Sequence, residues 1–106
     1  MTSENLATLL AVRVMGWTVG PDRFLTGERR WLPKWRFKPG QSPNSAFQLL
    51  AAAKPEHYTL ESEKGGDFWV RVKTAEGVGE ARHSSMPQAI TLAVARAFGI
   101  DPEANG

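Results

Sequence analysis

The 106-residue sequence contains no cysteine, no apolar run long enough to cross a bilayer and very little net charge. The lack of cysteine excludes disulfide bonds, thiolate metal ligands and cysteine nucleophiles. A membrane-spanning helix needs about 20 predominantly apolar residues, and the sequence has no stretch of that kind. The N-terminus also lacks the basic region and cleavage site of a signal peptide. We therefore expect a soluble intracellular protein.

The net charge is +2, from 13 basic and 11 acidic residues, but these charges are unevenly distributed. Six of the basic residues lie in the segment 22–38, which contains only two acidic ones. Local asymmetry of this kind is stronger evidence for an anionic partner than the total charge. Hydrophobic residues make up 42% of the chain, as in ordinary globular proteins, so most of it should fold. The length suits a single domain, residues 1–106, with one modest core.

Apolar residues recur at helical spacing in three segments, which we predict as helices at residues 3–15, 43–54 and 86–98. A serine precedes each of the last two helices at the position of an N-terminal cap, and a proline follows within the first turn. Gly99 can adopt the left-handed conformation that ends the third helix. We expect residues 101–106 to be a frayed tail.

Between residues 57 and 83 the apolar residues alternate with polar ones, as is typical of strands. The segment FWVRVK has two predicted faces, Phe68, Val70 and Val72 on one and Trp69, Arg71 and Lys73 on the other. Glycine-containing turns separate three such segments, which predicts a three-stranded antiparallel meander. The meander and the three helices together predict an α+β fold that is a layered sandwich. Its elements follow in the order helix, short strands or loops, helix, three strands, helix.

Residues 17–41 lack sustained periodicity and are rich in tryptophan and turn residues, so we expect short strands or loops packed against the sheet or its edge. Within this irregular segment, RRWLPKWRFK (residues 29–38) combines five basic side chains with three aromatic rings. In an extended conformation Trp31, Trp35 and Phe37 would share one face, which favours rings packed on the domain and cations in water. A stacking surface for single-stranded nucleic acid would instead need rings and cations on one accessible surface.

Residues 42–99 resemble the double-stranded-RNA-binding domain in their order of helix, three strands and helix, and in the segments SAFQLLA, YTLES, DFWVRV, GVGEAR and QAITLAVARAFG. That family contacts phosphates with lysines at the start of its last helix. Here the matching residues 84–88 contain no lysine or arginine, and the loop between the first two strands carries Asp67. Because these changes remove phosphate-facing cations, they disfavour duplex RNA binding of that kind.

The segments VMGW (residues 14–17), SPNSAFQLLAAA, FWVRV and GEARHSSMPQAITLAVARA resemble, in order and spacing, the phage ABA sandwich proteins. These are small proteins of bacteriophages and prophages, and their final helix opens with Pro-x-Ala-Ile, here Pro87, Ala89 and Ile90. The chain departs from the family at residues 44–45, which are Asn-Ser rather than Thr-Asp. The resemblance implies an αβα-layered fold and a place in the cytoplasm of a bacterial host. It implies no activity and no catalytic residues.

We assign no catalytic residue, no metal ligand and no cofactor from the sequence. His57 and His83 are isolated and lack a helical ligand partner, and the acidic residues of the meander alternate with basic ones as in cross-strand charge pairs. The candidate residues for binding a partner or an anion are Arg29, Arg30, Trp31, Lys34, Trp35, Arg36, Lys38, Trp69 and Arg71.

These residues support two hypotheses. The first is a small non-catalytic accessory protein, encoded by a phage or prophage, that binds a protein of the host or phage. The second is nucleic-acid or nucleotide binding through residues 29–38. Trp69 either anchors a partner or is covered by the irregular segment, and the sequence leaves both open. No membrane partner is expected, and a homodimer through a free sheet face or edge is a further alternative.

Overall fold

The computed structural model describes residues 3–100, with side chains from Leu6 onward, so the predicted frayed tail lies outside the described residues. Its helices are α1 (Ser3–Arg13), α2 (Pro43–Ala52) and α3 (Met86–Ala97), with a short 3-10 helix at Lys34–Arg36. Its strands are β1 (Thr18–Val19), β2 (Arg23–Leu25), β3 (Trp31–Pro33), β4 (His57–Ser62), β5 (Phe68–Thr74) and β6 (Gly77–His83). They form two antiparallel sheets, β1–β2–β3 and β4–β5–β6, which confirms the α+β prediction. Within residues 3–100, no helix combines the length and apolarity needed to span a membrane.

The larger sheet is the predicted meander, with its central strand β5 paired to β4 on one side and β6 on the other. Val70 and Val72 on its inner face are fully buried, whereas Arg71 and Lys73 on its outer face are exposed. This is the alternation expected of a strand with one face on a core and one in water. The predicted faces of β5 are therefore confirmed at these positions.

Helix α3 is the central element of the fold, because it packs on β5 and β6 and also lies beside α2. Its first turn is capped by the hydroxyl of Ser85, which accepts the N–H of Gln88 at 3.4 Å. At its other end Gly99 has a φ of 73°, and the N–H of Ile100 donates to the carbonyl of Ala95 at 2.8 Å. Ile100 is buried, which completes the helix end predicted from Gly99.

The backbones of α3 and β6 approach each other closely at Gly79. A Cβ atom at this position would overlap the carbonyl oxygen of Ala93 and the amide nitrogen of Ala97. Only glycine allows a strand to come this near to a helix backbone. The glycine therefore fixes how deeply α3 is seated on the larger sheet.

Ser42 caps the N-terminus of helix α2, and its hydroxyl accepts the N–H of Ser45 at 3.4 Å. The helix buries Leu49 and Leu50. It ends two residues before the predicted limit. Lys54 has a φ of 50°, in the left-handed region, and Pro55 follows it. Because a residue before proline avoids the helical conformation, the chain leaves the helix here.

The irregular segment forms the smaller sheet and the 3-10 helix, and an aromatic cluster holds both. Trp17, Phe24 and Phe37 are all buried, and their ring centroids lie 5.0 to 6.0 Å apart in tilted and edge-to-face arrangements. Such pairs add about 0.5–1.5 kcal/mol each to the free energy gained by burial. The cluster stabilises strands of two or three residues that would be marginal alone.

Candidate functional site

The prediction that the three rings of residues 29–38 pack on the domain is right for Phe37 and wrong for the two tryptophans. Phe37 is 2% exposed, but Trp31 is 56% exposed and Trp35 is 65% exposed. The period of two ends with β3, because the next three residues turn into a 3-10 helix with about three residues per turn. Trp35 lies in that helix and therefore projects into solvent.

Trp31 is exposed for a different reason, which is the face of the strand on which it lies. In the smaller sheet Phe24 pairs with Leu32, and these two side chains point toward the core. Trp31 neighbours Leu32 in β3, so it lies on the opposite face. The outward face of this sheet therefore carries a large ring.

Cations lie over three of the rings in this segment. The pairs are Arg23 over Trp31 at 5.1 Å, Arg36 over Trp35 at 5.3 Å and Lys34 over Phe24 at 5.8 Å, measured to the ring centroids. Each distance is within the range of a cation–π interaction, worth about 0.5–1 kcal/mol at an exposed site. At Trp31 and Trp35 both the ring and its arginine are exposed, whereas the Phe24 ring is buried.

We use the name tryptophan surface for the two exposed ring–arginine pairs, Trp31 with Arg23 and Trp35 with Arg36. Arg29 and Arg30 are exposed in the turn that joins β2 to β3, where the φ of Arg29 is 61°. Arg23 forms an ion pair with Asp22 at 3.2 Å. The exposed tryptophans of this segment are therefore accompanied by exposed arginines.

A groove of about 630 Å³ runs beside the tryptophan surface. It is lined by residues of α1, β2, the 3-10 helix, the following loop and α3. Of the predicted binding residues, Lys34, Trp35 and Lys38 line it. The binding residues predicted from the sequence therefore lie partly in this groove and partly on open surface.

Sequence reasoning missed the other walls of this groove. Leu6 and Thr8 come from α1, and Gln88 and Thr91 come from α3, so about 80 residues separate the two walls. Each side chain fits the periodicity of its own helix, and nothing in that periodicity joins the two helices. Only the tertiary packing of α1 and α3 brings them together.

Trp69 and Arg71 lie elsewhere, on the outer face of the larger sheet. Trp69 is half-buried in register with Glu61 and Arg82, and the exposed Arg71 lies opposite Glu80. This register matches the predicted cross-strand charge pairing. The groove is lined partly by α3, which packs on the inner face of the larger sheet. The residues of the irregular segment that line the groove therefore lie on the helical side of that sheet, and Trp69 lies on its other side.

The two histidines are far apart in the larger sheet. His57 pairs with Lys73 near one end of β5, and His83 pairs with Phe68 at the other end. Because a strand rises about 3.3 Å per residue, the length of β5 separates them. Within residues 3–100 no three histidine or acidic side chains are grouped as metal ligands would be.

No protein-family model matches the sequence, and no curated protein matches it significantly. Among solved structures, the fold is similar to the 2.0 Å crystal structure of a phage protein from Bacillus cereus ATCC 14579. The TM-score is 0.75, with 18% sequence identity over 97% of this chain and 93% of that chain. At this identity the likeness shows a common fold. Membership of the ABA sandwich family stays a prediction.

Proposed function

We propose that this chain is a small phage- or prophage-encoded accessory protein that acts in the bacterial cytoplasm by binding a protein partner, without catalysis. The phage context is supported by the fold shared with the Bacillus cereus phage protein and by the sequence resemblance to phage proteins. The binding role is carried by one observation. Trp31 and Trp35 are more than half exposed, and each has an arginine guanidinium against its ring.

Tryptophan and arginine are the residues most enriched at the energetic centres of protein interfaces. Tryptophan is also highly buried on average, so two indoles that are each more than half exposed are a costly arrangement for an isolated domain. A partner that covers them would remove this apolar area from water. The two rings together would then contribute about 2 kcal/mol or more to binding.

A second candidate is the binding of single-stranded nucleic acid. It is favoured by the two exposed rings that each have a cation beside them, because base stacking needs exposed rings and phosphate contacts need cations. Against it, each tryptophan has one ring face covered by an arginine of the same chain. We therefore favour the protein partner.

Affinity capture from a nuclease-treated lysate of the bacterial host tests the proposal. Three proteins would be compared: the wild type, the double variant Trp31→Ala/Trp35→Ala, and Tyr58→Ala. Tyr58 is a matched control, because its ring is 49% exposed but lies on β4 of the other sheet. We expect the wild type and Tyr58→Ala to retain the same defined protein, and the double variant to retain at most a tenth of it.

The proposal is wrong if the wild type retains no defined protein or if the double variant retains as much as the wild type. Retention that is seen only in a parallel lysate without nuclease, or that falls steeply as salt rises, would support the nucleic-acid candidate instead. Phosphate neutralisation releases counterions and makes affinity strongly salt-dependent, whereas an aromatic protein interface responds weakly.

A further inference from the structure

The groove beside the tryptophan surface has the size and the chemistry of a binding site. Its volume of about 630 Å³ lies within the roughly 300–1,000 Å³ of known ligand sites. Phe24 and Phe37 in its lining are only 1% and 2% exposed, so its accessible apolar surface comes from Pro21 and the exposed ring of Trp35. The groove can therefore accept an apolar group and remove it from water.

The charge of the groove is positive. Three charged residues line it, Asp22, Lys34 and Lys38. The carboxylate of Asp22 is engaged by Arg23 at 3.2 Å, and within residues 3–100 neither lysine forms an ion pair. The Lys34 ammonium lies 5.8 Å from the centroid of the Phe24 ring, so a cation is held directly above the apolar lining.

We propose that this groove binds an acidic peptide segment of the partner, in which Asp or Glu residues flank one apolar side chain. The apolar side chain packs against the exposed ring of Trp35, and the carboxylates reach Lys34 and Lys38. This inference rests on the proposed protein-binding function, and it names the chemistry of the partner.

The aromatic lining favours a peptide over a nucleotide. Phe24 and Phe37 are buried, and the exposed ring of Trp35 has the Arg36 guanidinium 5.3 Å from its centroid, over one of its faces. A nucleobase needs a free ring face on which to stack, whereas an aliphatic or aromatic side chain needs only apolar depth. Gln41 and Gln88 also line the groove, and their amides can donate to and accept from an extended peptide backbone.

Selection of random peptides displayed on yeast against the immobilised full chain tests this inference without a known partner. We expect the enriched peptides to carry Asp or Glu beside a Phe, Leu or Trp. Titration of a synthetic enriched peptide, followed by tryptophan fluorescence, then compares the wild type with Lys34→Met/Lys38→Met. Methionine keeps the length and the apolar stem of lysine and removes its charge.

The expected result is that the affinity of the peptide falls at least tenfold in the double lysine variant. It should stay within twofold of the wild type in Lys64→Met, whose lysine is exposed in the turn between β4 and β5. Replacing the acidic residues of the peptide by Asn and Gln should cause the same loss. The lysine substitutions in the protein and the Asn and Gln substitutions in the peptide remove the same interaction. The loss of affinity with both should therefore be no larger than the loss with either one.

The inference is overturned if the enriched peptides lack acidic residues, or if the double lysine variant binds them as the wild type does. It is also overturned if a ten-nucleotide oligo-dT binds with lysine dependence and no peptide does. If the double lysine variant still captures the protein partner from lysate as well as the wild type, the groove proposal is wrong while the proposed function stands. A matching far-UV circular dichroism spectrum shows that the variant has folded.

Discussion

The substitution Gly79→Ala tests how α3 is seated on the larger sheet. The added methyl group would overlap backbone atoms of Ala93 and Ala97, and it would also lie 3.0 Å from the carbonyl carbon of Arg96. All three are backbone atoms, so no side-chain rotation can relieve the overlap. Either α3 or β6 must move, and the interface between them includes the fully buried Ile90 and Val94 side chains of α3.

The expected loss is about 3 kcal/mol, the upper part of the usual range for overpacking of a core. For a domain of about 100 residues this corresponds to a fall in Tm of roughly 10–20 °C. With an m-value of about 2 kcal/mol per molar urea, the midpoint of unfolding would fall by about 1.5 M. The loss is large because the contact lies between two regular elements that cannot yield locally.

Urea unfolding followed by both circular dichroism and tryptophan fluorescence measures this change. Gly65→Ala is the matched control, because a Cβ at Gly65 meets no atom within 4 Å and its φ is not in the left-handed region. The control should remain within about 0.5 kcal/mol of the wild type. Equal stability of Gly79→Ala and Gly65→Ala would refute the close packing of α3 on β6.

Two further predictions concern single positions. Lys54→Gly should raise the free energy of unfolding by about 1 kcal/mol, because glycine adopts the left-handed φ of 50° without steric cost. If the Tm of Lys54→Gly equals the Tm of the Lys64→Gly control, this prediction is contradicted. Phe37→Ala should lower the free energy of unfolding by about 3–5 kcal/mol, whereas Trp35→Ala should lower it by less than about 1 kcal/mol, as urea unfolding would show. Equal losses for the two rings would mean that they are not divided between core and surface.

The larger sheet and the last two helices could be predicted because local signals and tertiary packing agree there. The alternation in β5 matches the buried Val70 and Val72, and the Ser85 cap and Gly99 fix the two ends of α3. These signals act within a few residues, so a sequence pattern contains them in full.

The irregular segment could be predicted only in part. Its aromatic cluster depends on contacts among Trp17, Phe24 and Phe37, which no periodicity links. The two faces assigned to residues 29–38 require an extended chain, and the 3-10 helix at Lys34–Arg36 interrupts that conformation and leaves Trp35 exposed. The alternation of residues 29–38 would need a strand longer than the three residues of β3, and the 3-10 turn after Pro33 prevents it.

The candidate site was also predicted only in part. The sequence marked the cations and the two exposed tryptophans, since composition alone draws attention to them. It could not supply the groove, because Leu6, Phe24 and Gln88 meet only when α1, the smaller sheet and α3 are assembled. It also joined Trp69 to the same set, although Trp69 lies on the outer face of another sheet.

The most direct test of the binding account is a calorimetric titration of the captured partner, once purified, into the wild type and into Trp31→Ala/Trp35→Ala. We predict that the double variant raises Kd by about 30-fold or more, which corresponds to about 2 kcal/mol. Equal affinities of the wild type and the double variant for the partner would contradict a binding role for the tryptophan surface.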